Sequence, residues 1–553
     1  MGETLLDGTT MTGSLTALSR SAPDAVALFP SHGRITAVEL HESSIRSANA
    51  FLDAGVEPGD VVGVLMQTTP TIFNALFGLW RAGAAVSVLP VQVGFGDVRA
   101  VAQRLASIIA TAGMRHLVLD KSYDKVGHAL RELVPTLTIV DPEVTGSARA
   151  LPAVDEDSLA IVQFTSGSTS APKGVMLPHR TAMAGLRACV VSGHFSPDDV
   201  FVQWVPMYHD MGLIGLMSHW LNGADVHVFS PAEFLRRPER LLRHFAEHRG
   251  TVLTGPNFSY DYMLDAVTPE FLATLDLSSW RLAFNGAEPV SAATVRRFTD
   301  TFAACGVRES VMYPVYGMAE ATLSISYPTP GDPAKIITID RQELASSSVA
   351  RTVTEDHPDA RAAVSVGRPV HGIGVRIAGK DGEILPPGML GEVQITGEPV
   401  TTGYYRAPEA TARSFDGEWL RTGDLGFELA GELYIGGRIK EMVIVRGQNF
   451  FPDDVEAVAS AVPGVYKRRC VAFSDTDESG AERVGVIVEV GGSGSPDEVR
   501  AEVTRRIAAE LSLSEVDVHV VKPRWLTRTT SGKWQRTLAG RRTSTGSRKD
   551  HGR

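Results

Sequence analysis

Ten residues, Thr165-Ser166-Gly167-Ser168-Thr169-Ser170-Ala171-Pro172-Lys173-Gly174, gather hydroxyls, glycines and one lysine into a single short stretch. Glycine lets backbone N–H groups approach an anion, hydroxyls donate hydrogen bonds, and lysine adds a point charge. Those are the parts needed to hold a chain of phosphates, so ATP is the first ligand to consider. The apolar run Leu159 to Phe164 leads directly into the stretch and reads as a buried strand. A G-x-x-x-x-G-K-[ST] pattern is absent, and Val175-Met176-Leu177-Pro178 after the lysine reads as a second strand rather than a helix start. The loop is therefore not that of an ordinary P-loop NTPase.

The elements that must position this loop are alternating strands and helices. Val61 to Met66 reads as a strand, and Thr69-Pro70 opens a helix with proline in its first turn. Phe73, Leu76, Phe77 and Trp80 then recur at helical spacing, Gly83 ends the helix, and Ala84 to Leu89 is a second strand. This β-α-β unit predicts an α/β fold with sheets covered by helices. Val226 to Phe229, a helix around Leu241 to Phe245, and Thr251 to Leu253 continue the alternation.

From about residue 367 short strands take over. Val375 to Ile377 and Glu383-Ile384, joined at Asp381-Gly382, read as a hairpin; Glu392 to Ile395 and Glu432 to Ile435 are further strands. The expected organisation is a large domain over 1–436, closed by this β-rich module, and a small α+β domain over 437–540. Within the small domain, Pro452-Asp453-Asp454 opens a helix and Val484 to Val490 is a strand. Glu498 to Leu511 is amphipathic through Val499, Val503, Ile507 and Leu511, and Val516 to Val521 is a last strand. Residues 541–553 are basic and rich in Ser, Thr and Gly, and read as a disordered tail.

The formal net charge of −11 over 553 residues argues against a general nucleic-acid binder. Cys189, Cys305 and Cys470 are far apart and match no metal spacing, which suits a reducing, cytoplasmic setting. The N-terminus, with Glu3 and Asp7, shows no secretory signal, and Val61 to Leu89 is too broken by Gln67, Pro70 and Arg81 to span a membrane.

Further segments follow the phosphate-type loop in order: Tyr208-His209-Asp210, Asn285-Gly286-Ala287-Glu288, Tyr316-Gly317-Met318-Ala319-Glu320, Arg421-Thr422-Gly423-Asp424, Gly437-Arg438-Ile439-Lys440 and Ser531-Gly532-Lys533. Singly, each has an ordinary structural explanation: a surface carboxylate, a satisfied histidine, a core tyrosine, a loop lysine. As an ordered set over nearly the whole chain, they resemble the adenylate-forming superfamily. Trp204 to Leu213, Gly255 to Phe258, Asn285 to Val290 and Tyr316 to Leu323 resemble its fatty acyl-AMP ligases.

The resemblance implies that a carboxylate attacks the α-phosphate of ATP, giving an acyl adenylate and pyrophosphate. It implies that Thr165, Ser166, Gly167, Ser168, Thr169 and Lys173 hold the β- and γ-phosphates, and that Glu320 is a ligand of Mg²⁺. Asn285, Gly286, Ala287 and Glu288 would wall the adenine pocket, with Tyr316, followed by Gly317 and Met318, stacked on the base. Asp424 and Arg438 would hold the ribose, and His209 would border the acid. Lys533 would bridge carboxylate and α-phosphate, and Lys440 would be the hinge of the small domain. In this subgroup an insertion, placed here at 331–366, hinders the use of coenzyme A. The acyl group passes instead to a carrier protein, which this chain would meet in trans.

The acid is less legible. Trp204, Phe258, Tyr260, Tyr262 and Met263 are placed to line an acyl tunnel, but such aromatics are as often core. A fatty acid fits, and so does an aryl acid or a small oxyanion such as nitrite, with coenzyme A or an amine as other acceptors. A non-enzymatic scaffold is disfavoured because Lys173, Glu320, Asp424 and Lys533 are all present.

Overall fold

The computed structural model describes residues 6, 8–91, 97–143, 146–165, 172–445, 448–476, 482–491, 495–528 and 534–547. Val61–Leu65, Pro70–Arg81 and Ala85–Val88 form the expected strand–helix–strand unit, with the two strands parallel. Pro70 occupies the first turn, where its missing N–H has no helical partner to lose. Phe73, Leu76, Phe77 and Trp80 are all buried, each contributing about 1.5–3 kcal/mol through the apolar area removed from water. The Trp80 Nε1–H donates to the Ala160 carbonyl at 2.8 Å and ties this helix to the strand that feeds the phosphate-type loop. Gly83 takes φ +78°, which ends the helix.

Two large sheets carry the N-terminal body. In one, the strands run in the order Thr138–Val140, His116–Leu119, Val61–Leu65, Ala85–Val88, Leu159–Thr165 and Lys173–Pro178, all parallel except the last. In the other, the order is Met312–Pro314, Leu282–Asn285, Val252–Gly255, Val200–Gln203, Asp225–Val228, Val26–Phe29 and Gly33–Thr36, again with only the last antiparallel. Parallel strands need helical crossovers, which bury both faces of each sheet. The largest apolar core joins residues of both sheets, including Phe73, Trp80, Ile161, Trp220 and Tyr313.

The second sheet is pinned by a buried charge. Asp199 accepts from Arg281 Nε at 2.7 Å, from Thr251 Oγ1 at 2.6 Å and from the Ser196 N–H at 2.9 Å. Arg281 also donates to the carbonyls of Gly193 and His194. Replacing Asp199 with Ala strands this guanidinium, which is only 24% exposed. The expected loss is about 2–4 kcal/mol, read as a lower urea midpoint; an unchanged midpoint would show that the pair holds nothing.

In the β-rich module the expected hairpin is short: the Gly379 N–H donates to the Glu383 carbonyl at 2.8 Å and the Leu385 N–H to the Ile377 carbonyl at 2.9 Å, around the turn at Asp381-Gly382. Ile373–Ala378 also pairs along its length with Gly391–Gly397. Trp419–Leu429 extends this sheet and pairs with Glu432–Arg438. That last pairing runs to Arg438, two residues past the expected boundary, and the turn 439–442 then leads to the small domain. There Val465–Thr476, Glu482–Val490 and Val516–Val521 form a sheet, packed by Pro452–Ser460 and Pro496–Leu511. Val499, Val503, Ile507 and Leu511 are buried, as their spacing predicts. Helix Arg536–Ser547 continues through residues 541–547, where the composition had suggested a solvated tail. The helix is held from its start by tertiary contacts: Ala539 is buried, and Arg542 donates to the Trp525 carbonyl at 3.0 Å.

Among the described residues, no helix is long and apolar enough to cross a membrane. All three cysteines are buried and free.

Candidate active site

On either side of the phosphate-type loop, Leu159–Thr165 and Lys173–Pro178 pair antiparallel, with Thr165 opposite Lys173. Ser166, Gly167, Ser168 and Thr169 lie outside the described residues. The exit strand is stitched to a distant segment: the Met176 N–H donates to the Gly403 carbonyl at 3.0 Å, and the Tyr405 N–H to the Gly174 carbonyl at 2.8 Å. Gly403 takes φ +135°, a conformation that favours glycine.

This stitching brings Tyr404 into the site, a residue that none of the sequence motifs indicated. Its hydroxyl donates to Glu320 Oε1 at 2.9 Å, and its ring lies 4.6 Å from Lys173 Nζ. Burial, followed by the Glu320 charge, pushes the Tyr404 phenol well up, so it stays protonated and donates. The Thr-Thr-Gly-Tyr-Tyr run at 401–405 was the available signal: hydroxyls and aromatics around a glycine that only a special backbone requires. Glu320 itself sits in the tight turn Ala319–Ala321, with its main-chain carbonyl held by the Thr401 N–H at 2.7 Å. The next residue but one, Thr322, has φ +63° and ψ −53°, strain fixed by hydrogen bonds from its Oγ1 to the carbonyls of Pro399 and Thr181. Replacing Tyr404 with Phe keeps the ring beside Lys173 and removes the donor to Glu320. The expected effect is a loss of about 1.5–3 kcal/mol from one charge-assisted hydrogen bond, read as a lower urea midpoint; an unchanged midpoint would show that the bond holds nothing.

A second buried carboxylate stands across the site. The register of Trp419–Leu429 against Glu432–Arg438 sets Asp424 opposite Arg438. Asp424 Oδ1 is 3.0 Å from Arg438 Nε, and its Oδ2 accepts from the Tyr316 hydroxyl at 2.7 Å. Burial and then the Asp424 charge push the Tyr316 phenol well up, while Asp424 is the main influence raising Arg438. Asp424 therefore has two donors already aimed at it, and Tyr316 is an anchor for this carboxylate as well as a candidate adenine platform.

These groups border one cleft of about 2130 Å³. Lys173, His209, Ala287, Glu288, Tyr316, Gly317, Met318, Glu320, Asp424, Arg438 and Lys440 all line it. The four residues 285–288 do not act as one wall. Asn285 is fully buried behind it, donating to Asn257 Oδ1 at 3.2 Å. At Gly286 a Cβ would meet Val315 at 2.8 Å, so glycine lets two chain segments close up there. Ala287 and Glu288 reach the cleft, Ala287 with φ +64°, and Glu288 accepts from the Phe258 N–H at 2.6 Å. His209 precedes helix Asp210–Trp220 as its N-cap, with its N–H on the Pro206 carbonyl.

Of the aromatic residues expected along an acyl tunnel, Trp204, Phe258 and Tyr262 border the cleft. Tyr260 and Met263 do not; both are core, and the Tyr260 hydroxyl donates to the Phe284 carbonyl at 2.7 Å. The cleft instead reaches Cys189, Phe195, Phe201, Ser218, His219, Ser324 and Tyr327. His219 is sandwiched between Phe195 and Phe201, with ring centroids 3.8 and 4.0 Å away. Burial pulls it down to about 4, so it is neutral at pH 7. Its Nδ1 is 2.8 Å from the Gly215 carbonyl, which can only accept, so Nδ1 carries the proton. Nε2 is left as a buried acceptor with no hydrogen-bond partner.

The small domain closes over this cleft. The Arg528 guanidinium lies 3.8 Å from the Trp534 ring and 5.2 Å from the Phe258 ring of the large body. Arg361 reaches from strand Ala360–Val364 to Asp454 at 2.9 Å and lies 5.0 Å from the Phe451 ring. Lys533, next to Trp534 in the chain, lies outside the described residues.

The model of the AMP-binding enzyme family matches residues 16–405. The chain belongs to that family. This AMP-forming ligase uses ATP to adenylate an acid, with the bilobed architecture of adenylate-forming enzymes and a fatty acyl-AMP ligase-like form. It is 34% identical over 448 residues to the medium-chain-fatty-acid–acyl-carrier-protein ligase JamA of Moorena producens, covering 78% of this chain and 76% of that protein. It is also 34% identical over 515 residues to a 4-hydroxyphenylalkanoate adenylyltransferase of Mycobacterium bovis, covering 87% and 82%. A solved structure from work on the fatty acyl-adenylate ligases of E. coli and L. pneumophila superposes with a TM-score of 0.92 at 26% identity, covering 98% of this chain and 99% of that one. The ligase thus places two buried carboxylates, each already hydrogen-bonded, along one cleft that continues into an aromatic interior.

Proposed function

We propose that this ligase converts a fatty acid and ATP to acyl-AMP and pyrophosphate, then hands the acyl group to the phosphopantetheine thiol of an acyl carrier protein in trans. The observation that carries this reading is the pair Glu320 and Asp424, buried on one cleft with an aromatic acid channel beyond them. A carboxylate oxygen of the acid bonds to the α-phosphorus, and the bond to the β-phosphate oxygen breaks with pyrophosphate leaving. Residues Thr165 to Lys173 hold the departing phosphates. Asp424, oriented by Tyr316 and Arg438, accepts from the ribose hydroxyls. Ala287 and Glu288 flank the base, and His209 borders the acid. Lys533 bridges carboxylate and α-phosphate, where a charge is worth most once water is excluded. A buried carboxylate facing a phosphate site suits Mg²⁺, which takes one or two carboxylates together with phosphate oxygens; Glu320 would hold it, and it would neutralise developing charge. Lys440, in the turn between the two bodies, is the hinge about which Lys533 leaves for transfer.

The acceptor reading rests on the segment 331–366. Its strands Ile336–Asp340 and Ala360–Val364 pair, and Arg361 from the second grips Asp454 of the small domain. Such a grip opposes the rotation that coenzyme A use requires, and the carrier-protein partner named for the Moorena relative agrees with it.

A second reading has its own observation. The His219 Nε2 acceptor among Phe195 and Phe201 suits an acid whose far end is aromatic and carries an O–H donor, as the name of the Mycobacterium relative suggests. The test is pyrophosphate release with ATP, Mg²⁺ and a panel of fatty acids, hydroxyaryl acids, unsubstituted aryl acids and nitrite. Preference for fatty acids supports the first reading. Preference for hydroxyaryl acids, abolished in His219→Leu, supports the second; activity with nitrite alone overturns both. Lys533→Ala should lose adenylation yet still transfer from preformed acyl-AMP, and equal loss of both steps would contradict its role.

A further inference from the structure

Far from the adenylation residues, three imidazoles converge. His227 lies on strand Asp225–Val228, His244 on helix Pro238–Glu247, and His248 one turn further on as its C-cap. One ligand atom of each lies within 4.8 Å of the others. His227 Nδ1 and His244 Nε2 are 2.9 Å apart, and the His244 and His248 ring centroids 4.1 Å. None of the three borders the adenylation cleft; His244 and His248 instead border a separate cavity of about 520 Å³. We propose that His227, His244 and His248 form a binding site for a transition-metal dication of the zinc type, with its fourth position open to that cavity.

The geometry suits such an ion. A tetrahedral centre with Zn–N bonds of about 2.0–2.1 Å sets its nitrogens roughly 3.3 Å apart. The closest pair needs to open by only about 0.4 Å, and the widest must close by about 1.5 Å, within reach of side-chain rotation for a half-buried and an exposed ring. Two ligands one helical turn apart and a third from a strand give a three-point grip on two elements.

The surroundings choose among metals. The cavity wall carries Arg237, Arg240 and Arg243 against Glu239 and Glu247, a net positive lining. Mg²⁺ and Ca²⁺, which need oxygen ligands and gain mainly from negative charge, are disfavoured there. Zn²⁺, Ni²⁺ and Cu²⁺ bind neutral imidazole well. Among the described residues, the other convergent group is Asp475, Asp517 and His519. Its two carboxylates are already ion-paired with Arg483, at 2.8 and 2.7 Å, so it is the weaker competitor.

The experiment uses tag-free full-length protein, stripped with a chelator and titrated with Zn²⁺, and with Co²⁺ as a spectroscopic probe. Bound metal is counted after gel filtration. The expected result is one Zn²⁺ per chain, tetrahedral Co²⁺ absorption, and a raised melting temperature. In His248→Gln, an exposed position chosen to leave folding intact, and in His244→Gln, Zn²⁺ affinity should fall about tenfold or more. Adenylation with Mg²⁺ should be unchanged in both. Failure to bind Zn²⁺, binding unaltered in both variants, or binding lost only in Asp517→Asn would overturn the proposal.

Discussion

Asp424→Asn is expected to reduce adenylate formation at least about a hundredfold. The carboxylate holds the Tyr316 hydroxyl and the Arg438 guanidinium, and both are donors. An amide of the same shape turns one acceptor into an N–H donor facing one of them, so the pocket loses a partner on whichever side the amide points. On the proposed reading Asp424 also accepts two hydrogen bonds from the ribose; the amide removes one and takes the charge from the other, together about 3 kcal/mol. At about 1.4 kcal/mol per factor of ten, their loss alone gives roughly a hundredfold. Steady-state kinetics with ATP varied should show the loss in kcat/KM for ATP, and circular dichroism should show an intact fold. A folded variant within about threefold of wild type would remove Asp424 from the nucleotide site.

Reversing the charge at Arg361 is expected to change which acceptor the enzyme uses. Arg361→Glu sets a second carboxylate against Asp454, whose carboxyl burial already pushes up. The cation over Phe451 is lost as well. Removing one partner of a partly buried ion pair costs about 3 kcal/mol, enough to shift an equilibrium of domain positions by roughly a hundredfold. Acyl-coenzyme A formation should rise about tenfold or more, while acyl-AMP formation from ATP changes by less than about threefold. If coenzyme A remains unused, the ion pair is not the restraint, and the acceptor must be set elsewhere in the 331–366 segment.

The features legible in the sequence were those with a local cause. The helix beginning at Pro70 was readable because proline, four spaced apolar residues and Gly83 all act within a few turns. The strand after the phosphate-type loop was readable because Val175 to Pro178 is a short apolar run with no helix start signal. The illegible features depend on pairing across long separations. The turn at Asp381-Gly382 signals the short hairpin, but no local signal names Gly391–Gly397 as the longer partner of Ile373–Ala378; the register of the whole sheet decides. Tyr404 was missed because its link to Glu320 spans 84 residues. Tyr260 was one of several aromatics that spacing alone could place either on the tunnel or in the core; the Phe284 carbonyl satisfies its hydroxyl inside the core. His219 gave no signal, since its role depends on two rings that fold over it. The candidate nucleotide residues were named from their ordered motifs, and the cleft gathers those whose side chains the structure describes, apart from Asn285 and Gly286.

The main-chain stitching between the strand at Lys173 and the segment at Tyr404 bears on how this enzyme can diversify. The spacing of the phosphate-side groups is set by backbone hydrogen bonds, which most side-chain substitutions leave alone. The aromatic end of the cleft, where the proposed acid would lie, is made of side chains such as Trp204, Phe258 and His219, each replaceable one at a time. Drift can therefore explore new acids while the adenylating frame keeps its dimensions, so a lineage can change its substrate without passing through an inactive ancestor.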